Sequence, residues 1–171
     1  ADEITAIGYH ALKASTTGAR QTAVGAYALS STTTGGYNTA LGYNALKENT
    51  TGIQNAAFGQ WSLKNNTTGN NNVGFGPQAM SAVQTGSDNV GIGYQAGERL
   101  TSSYNIAIGS NALENCTTGE KNITIGYTAG DNITEGDNNI VIGDSADSSS
   151  ATVDNEITLG NSSIATLRCQ V

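Results

Sequence analysis

The chain has 171 residues, of which 22 are glycine and only 12% are charged, and its net charge is −7. Its periodic apolar residues argue against a disordered tail, and seven basic residues on an acidic chain argue against nucleic-acid binding by phosphate neutralisation. No apolar run approaches the length of a membrane span, and two cysteines without a Cys-x-x-Cys spacing give no disulfide framework.

Glycine recurs along the whole chain with a period of 17 residues, apart from one interval of 16 between Gly93 and Gly109. A fixed period is typical of a solenoid, in which each repeat forms one coil stacked on the next. The sequence therefore predicts an all-β parallel β-solenoid of about ten coils. The marker glycines are Gly8, Gly25, Gly42, Gly59, Gly76, Gly93, Gly109, Gly126, Gly143 and Gly160.

Each coil is expected to begin with a strand that ends just before the marker glycine. Apolar residues lie one and three positions before the glycine in most repeats, and the residue between them is usually small. This alternation, rich in Val and Ile, is typical of a β-strand. From the fifth to the ninth coil the two apolar columns consist of Val73, Phe75, Val90, Ile92, Ile106, Ile108, Ile123, Ile125, Ile140 and Ile142.

The rest of each coil predicts a short second strand and a polar turn. Ala or Ser three residues after the glycine, often followed by Leu, suggests the second strand. Thr-Thr-Gly, as at Gly52 and Gly69, predicts a tight turn in which glycine supplies a positive φ. Asparagine four residues before the marker glycine, as at Asn38 and Asn105, predicts a ladder of side-chain hydrogen bonds along the coils.

The short coil limits what its interior can hold. Seventeen residues at about 3.3 Å each trace a loop of roughly 56 Å, which leaves a narrow interior. We therefore expect Ala, Gly and Ser to line the interior and the bulky columns to face outwards. A continuous outward apolar stripe exceeds what a soluble monomer tolerates. The ten residues of the two columns are thus the predicted dry seam of a homo-oligomer.

Aromatic residues follow the marker glycine in several coils. Tyr9, Tyr43, Tyr94 and Tyr127 come directly after it, and Trp61 comes one residue later. Exposed aromatic rings can stack on sugar rings, so these five side chains are candidate contacts for a cell-surface glycan. The alternative is that they shield strand edges or pack on neighbouring coils.

No catalytic residue, cofactor site or dedicated metal site is predicted. His10 is the only histidine, and no pattern of Asp, Ser or Cys surrounds it. Residues 1–97 carry four acids and four bases, whereas the remainder carries ten acids and three bases. Carboxylate pairs among those acids, such as Asp131 and Asp137, would need a cleft that short turns do not offer. The same acids lack regular calcium-ligand spacing, although calcium binding in the acidic half stays an open alternative.

Two repeat patterns resemble known families. Asn105–Gly109 and Asn139–Gly143 resemble the Asn-Ser-Val-Ala-Ile-Gly repeat of trimeric autotransporter adhesin heads. The longer form, Asn38–Leu46 followed by Asn49–Gly52, resembles the repeats of bacteriophage tail fibres, over about residues 4–164. Residues 156–171 are similar to the segment that precedes the intramolecular chaperone of tail fibres and tailspikes.

The resemblance implies a homotrimer of left-handed parallel β-rolls, assembled by a chaperone that then cuts itself off with a serine–lysine pair. It divides the chain into a repeat solenoid (1–164) and a junction segment (165–171) formerly leading to that chaperone. We expect a non-enzymatic, extracellular rod of a virion tail fibre that displays or spaces contacts with the host surface, including a bacterial surface glycan. The alternatives are the head of a bacterial cell-surface adhesin and an ice-binding solenoid, suggested by threonine pairs such as Thr50 and Thr51.

Overall fold

The computed structural model describes residues 3–164, which form one stack of similar coils without a helix. Ten short strands form a single parallel sheet in which neighbours in sequence are neighbours in space. The predicted junction segment, residues 165–171, lies outside the described residues. The strands are β1 (Ile4–Ile7), β2 (Gln21–Val24), β3 (Thr39–Leu41), β4 (Ala56–Phe58), β5 (Val73–Phe75), β6 (Val90–Ile92), β7 (Ile106–Ile108), β8 (Ile123–Ile125), β9 (Ile140–Ile142) and β10 (Ile157–Leu159).

The strand register follows the sequence period. Ile108 of β7 pairs with Ile125 of β8, which pairs with Ile142 of β9, so equivalent residues of successive repeats stack directly. The predicted all-β parallel solenoid is confirmed. Ten strands bound about nine full turns of about 17 residues each, one fewer than the ten coils expected from the glycines.

The single 16-residue interval leaves the sheet register unchanged, because Val90 of β6 still pairs with Ile106 of β7. The missing residue is the one just before the glycine of the polar turn, and Ser102 stands where other coils have that glycine. In other coils the carbonyl of that glycine accepts a hydrogen bond from an asparagine of the preceding coil, as Gly86 does from Asn72 (2.8 Å). In the short coil the carbonyl of Ser102 takes this role and accepts from Asn89 (2.9 Å).

The predicted second strand is wrong, because residues 3–164 contain one strand per coil. After the marker glycine the chain makes consecutive tight turns, in which residues two and four positions later have positive φ, such as Asn44 (58°) and Leu46 (49°). The Thr-Thr-Gly glycines do not have positive φ, which also differs from the prediction. This position requires glycine for another reason, because a Cβ on Gly52 would collide with the carbonyl of Gly69 in the next coil.

The interior holds more than the small residues expected from the sequence. The central residue of each inner strand is small or medium-sized and buried, such as Ala40 and Ala107. In addition, the side chain four residues after the marker glycine is fully buried at Leu29, Leu46 and Leu63. The prediction failed because this residue has a left-handed backbone conformation that directs its side chain into the interior. The coil is therefore wider than two flat strands would make it.

The asparagine ladder is confirmed. Asn55 Nδ2 donates to the carbonyl of Gly69 (2.8 Å), and Asn55 Oδ1 accepts from the backbone N–H of Asn72 (2.9 Å). The same pattern recurs at Asn122, with Gly136 and Asn139 as partners. These side chains are buried, so the ladder satisfies backbone groups that water cannot reach.

Candidate functional site

The solenoid presents an apolar surface on the outer side of its sheet. We call it the apolar sheet face, and none of its members is buried in the interior, as expected. Phe75 is 55% exposed and Ile125 is 37% exposed in the single chain. The face consists of the predicted seam residues Val73, Phe75, Val90, Ile92, Ile106, Ile108, Ile123, Ile125, Ile140 and Ile142, stacked in register on β5–β9.

The apolar sheet face is regular and continuous, because parallel pairing places each apolar side chain beside its equivalent in the next strand. Phe58 of β4 packs beside Phe75, with ring centroids 5.5 Å apart, and so extends this apolar surface towards the N-terminus. An exposed apolar patch that continues over five neighbouring strands usually marks an interaction surface. The arrangement suits burial against another extended apolar surface.

A second surface is formed by the turns that follow the strands. We call it the turn face and define it by the residues one, two, five and six positions after each marker glycine. All five predicted glycan-contact residues lie on it. Four of them are exposed and Trp61 is half-buried; the exposed four are Tyr9, Tyr43, Tyr94 and Tyr127.

The structure brings together only some of these aromatic rings. Tyr9 and Tyr43 both lie beside Tyr27, with centroid separations of 5.4 and 6.4 Å, and Tyr9 also stacks on His10 at 3.9 Å. Trp61 lies further along the rod, and its backbone N–H donates to the Tyr43 carbonyl (3.0 Å).

Tyr94 and Tyr127 occupy the same column as Tyr43 but stand apart from that cluster. Among residues 3–164, no aromatic ring packs against either of them. Within residues 3–164, Tyr9 and Tyr43 therefore have aromatic neighbours, whereas Trp61, Tyr94 and Tyr127 have none.

Two shallow depressions lie on the N-terminal half of the turn face. Each combines an aromatic ring, a side-chain amide and a lysine. One has a volume of about 320 Å³ and the other of about 200 Å³. The larger is lined by Tyr27, Tyr43, Asn44 and Lys47, and the smaller by Trp61, Lys64, Asn65, Gln78 and Ser81.

The lysines of these depressions belong to one column, five residues after the marker glycine. Lys13, Lys47 and Lys64 lie in it, separated by multiples of the 17-residue period. Lys47 is paired with Glu48 (Nζ to Oε1, 2.7 Å), and this hydrogen bond raises the pKa of the Lys47 ammonium. Within residues 3–164 neither of the two ion pairs involves Lys64, so its charge is not offset by a bound carboxylate.

The same column is acidic in the C-terminal half, where Glu98, Glu114 and Asp131 occupy it. Neighbouring amides donate to these carboxylates: Asn115 Nδ2 lies 2.7 Å from Asp131 Oδ1. The pKa of Asp131 is raised, first by burial and then by the nearby charges of Glu114 and Asp147. The column thus changes from basic to acidic along the rod.

Sequence reasoning missed the lysine column, although aligning the charged residues at the 17-residue period would have found it. It also missed Tyr37 and Tyr104, which are exposed and lie five residues before their marker glycines. Aromatic residues were sought only after the glycine, where several repeats carry them.

Two observations concern the metal-ligating and nucleophilic side chains of the described residues. In the part of the chain from 3 to 164, no group of three or more His, Cys, Asp or Glu side chains could hold a metal ion. Burial raises the pKa of the Cys116 thiol to about 11, so it is protonated at neutral pH and a weak nucleophile. The same residues contain no helix long and apolar enough to cross a membrane.

In comparisons with known proteins, the chain matches no family model, no curated protein and no solved structure.

Proposed function

We propose that this chain is the repeat rod of a bacteriophage tail fibre. In this proposal three copies, each a left-handed β-roll, assemble around a common axis. The rod is extracellular, carried by the virion, and has no enzymatic activity. It spaces or displays contacts with the bacterial surface, and three parallel copies multiply weak contacts with a surface polymer.

The observation that carries this proposal is the apolar sheet face. Its side chains remain outside the interior of the coil, and several are more than a third exposed in the single chain. Burying apolar area is worth about 25 cal/mol per Å², so a stripe along the rod favours association strongly. Identical copies around a rotation axis cover identical stripes completely and leave none exposed.

The coil architecture suits a mechanical role. Each strand is paired on both sides except at β1 and β10, so long unpaired strand edges are absent from residues 3–164. The buried asparagine ladder adds hydrogen bonds that run along the rod axis. A rod of this kind resists bending and proteolysis because local opening breaks contacts with both neighbouring coils.

A bacterial autotransporter adhesin head is the second candidate. It is favoured by the Asn105–Gly109 stretch, where a buried asparagine is followed by outward Ile106 and Ile108. An antibody raised against the chain distinguishes the two, because it labels phage particles in the first case and bacterial cells in the second.

The ice-binding alternative has weaker support. The threonine pairs lie in turns, and the first hydroxyl of each pair is used internally, as Thr50 Oγ1 donates to the Thr67 carbonyl (3.0 Å). This leaves one column of unengaged threonine hydroxyls, such as that of Thr51, rather than a flat two-column array. Measurable thermal hysteresis would overturn this ranking.

Sedimentation equilibrium of the purified chain tests the assembly. We expect a mass three times that of the 17.4 kDa chain. Ile125→Asp places a carboxylate in the proposed seam and should give a folded monomer, because Ile125 already faces outwards in the single chain. Thr118→Asp, on another exposed surface, is the matched control and should remain trimeric. A stable wild-type monomer contradicts the proposal.

A further inference from the structure

We propose that the N-terminal half of the turn face binds a carboxylate-bearing polysaccharide, with Trp61 and Lys64 as its main contacts. The inference rests on the proposed attachment function and names the chemical class of the surface glycan. It separates the N-terminal aromatic residues from Tyr94 and Tyr127, whose coils carry an acidic residue five positions after the marker glycine.

The depression at Trp61 has the components that such a ligand needs. Lys64 N–H donates to the Trp61 carbonyl (3.2 Å), so one tight turn carries both side chains. The indole offers an apolar wall for the C–H face of a sugar ring, and the unpaired Lys64 ammonium offers a partner for a carboxylate. Asn65 and Gln78 add amide groups that can bond to sugar hydroxyls.

The size of this depression indicates one sugar unit rather than a compact multi-ring ligand. Its volume of about 200 Å³ lies below the range of about 300–1,000 Å³ that is typical of enclosed small-molecule sites. Shallow sites of this size gain affinity by repetition along a polymer.

The second depression supplies that repetition. Tyr27, Tyr43, Asn44 and Lys47 repeat the combination of ring, amide and lysine, with Lys47 one coil before Lys64 and Tyr27 two coils before Trp61. At a strand spacing of about 4.8 Å, one to two coils separate the depressions by roughly 5–10 Å along the axis. A polysaccharide laid along the rod therefore reaches both. The second subsite is weaker for anions, because Glu48 already neutralises Lys47.

The charge gradient of the turn face determines where an anionic polymer can lie. Lys13, Lys47 and Lys64 occupy the column in the N-terminal half. In the C-terminal half the same column carries Glu98, Glu114 and Asp131, which repel a carboxylate within a Debye length of about 8–10 Å. An acidic polymer is thus confined to the first half of the rod.

Trp61 is the only tryptophan, so its fluorescence reports directly on the proposed site. The full chain is titrated with oligomers of galacturonic and glucuronic acid, with the matched neutral oligomers of galactose and glucose, and with polyglutamate. We expect saturable fluorescence changes with the uronic acid oligomers, at least about 10-fold weaker binding of the neutral oligomers and of polyglutamate, and affinity that falls as salt is added.

Three variants test which side chains contact the oligomers. Lys64→Gln should weaken uronate binding about 10-fold, as expected for one lost charge-assisted hydrogen bond, and should leave binding of neutral oligomers unchanged. Lys121→Gln removes the same charge from an exposed position outside the turn face and should have no effect. Trp61→Ala, measured by calorimetry, should weaken binding of both oligomer classes.

The outcomes separate this inference from the attachment function. Equal binding of neutral and acidic oligomers, or equal losses in Lys64→Gln and Lys121→Gln, overturns the anionic class and leaves glycan attachment intact. Polyglutamate binding as tight as uronate binding also overturns it, because charge alone then accounts for the affinity. Binding of no oligomer overturns both the inference and the glycan-displaying role, whereas the trimeric rod is judged by sedimentation alone.

Discussion

The two halves of the rod share one scaffold and differ in surface chemistry. Residues 1–97 are electrically balanced, whereas residues 98–171 carry ten acids against three bases. Strand pairing, the asparagine ladder and the marker glycines continue through both halves. The strict period therefore constrains the buried and stacked positions, while the turn face is free to change its charge.

The side chains that fill the interior also differ between the two halves, although the interior is packed in both. In the N-terminal half the position four residues after the marker glycine carries a buried aliphatic side chain such as Leu46 or Leu63. Gly97 and Gly130 occupy this position in two later coils, and there Leu100 and Ile133, three residues further on, are buried instead. Packing density thus constrains each coil as a unit rather than each position separately.

Marker glycines should be equally intolerant in both halves, and replacing them should have the largest effect. Gly42 has φ of 143° and Gly109 has φ of 132°, and a Cβ on either would collide with the carbonyl of the next marker glycine. Gly42→Ala and Gly109→Ala should each lower the free energy of unfolding by at least about 3 kcal/mol. Urea denaturation followed by circular dichroism measures this loss.

Gly36→Ala is the control for these two variants. Gly36 does not have positive φ, and the equivalent position carries Ala19 and Ile53 in the neighbouring coils, so a methyl group should be tolerated with a much smaller loss. If Gly109→Ala proved as mild as Gly36→Ala, the close glycine stack would not be a common feature of the two halves.

The asparagine ladder should give the next largest effect, again equal in the two halves. Asn72→Ala and Asn122→Ala each leave one buried carbonyl and one buried N–H without a partner. We expect a loss of about 2–4 kcal/mol for each variant, measured as above. Gln84→Ala removes an exposed amide and should change stability by less than about 0.5 kcal/mol. Unequal losses would show that the ladder is anchored differently along the rod.

The sequence period was sufficient to predict the coil, the strand at each marker glycine and the outward direction of the bulky columns. It was sufficient because parallel stacking places every side chain beside its equivalent one period away, so a column in the sequence is a column in space. The asparagine ladder followed for the same reason.

The turns were not predictable in the same way. A leucine with positive φ, as at Leu46, contradicts the usual preference for glycine or asparagine, so the sequence pattern favours a second strand where the structure has tight turns. Likewise, the sequence singled out Trp61 but not Lys64, and only the tight turn between them shows that they share one depression.

The smallest predicted effect concerns the crowded carboxylates of the C-terminal half. Burial and the charges of Glu114 and Asp147 raise the pKa of Asp131 in the folded chain. The folded state therefore holds this proton more tightly than the unfolded state. As pH rises from the ordinary aspartate value of 3.8 to the raised value, stability decreases, and it stays lower at neutral pH.

Asp131→Asn removes this charge and should raise the free energy of unfolding at pH 7 by a few tenths of a kcal/mol, a small amount because the side chain is partly solvated. It should also reduce the decline in stability with rising pH, measured by urea denaturation from pH 3 to pH 7. Ser81→Asn introduces the same residue at the equivalent position of the N-terminal half, where no carboxylate is removed, and should leave the pH dependence unchanged. If Asp131→Asn destabilised the chain at pH 7, the hydrogen bond from Asn115 would outweigh the repulsion, and the acidic column would be an element that stabilises the fold.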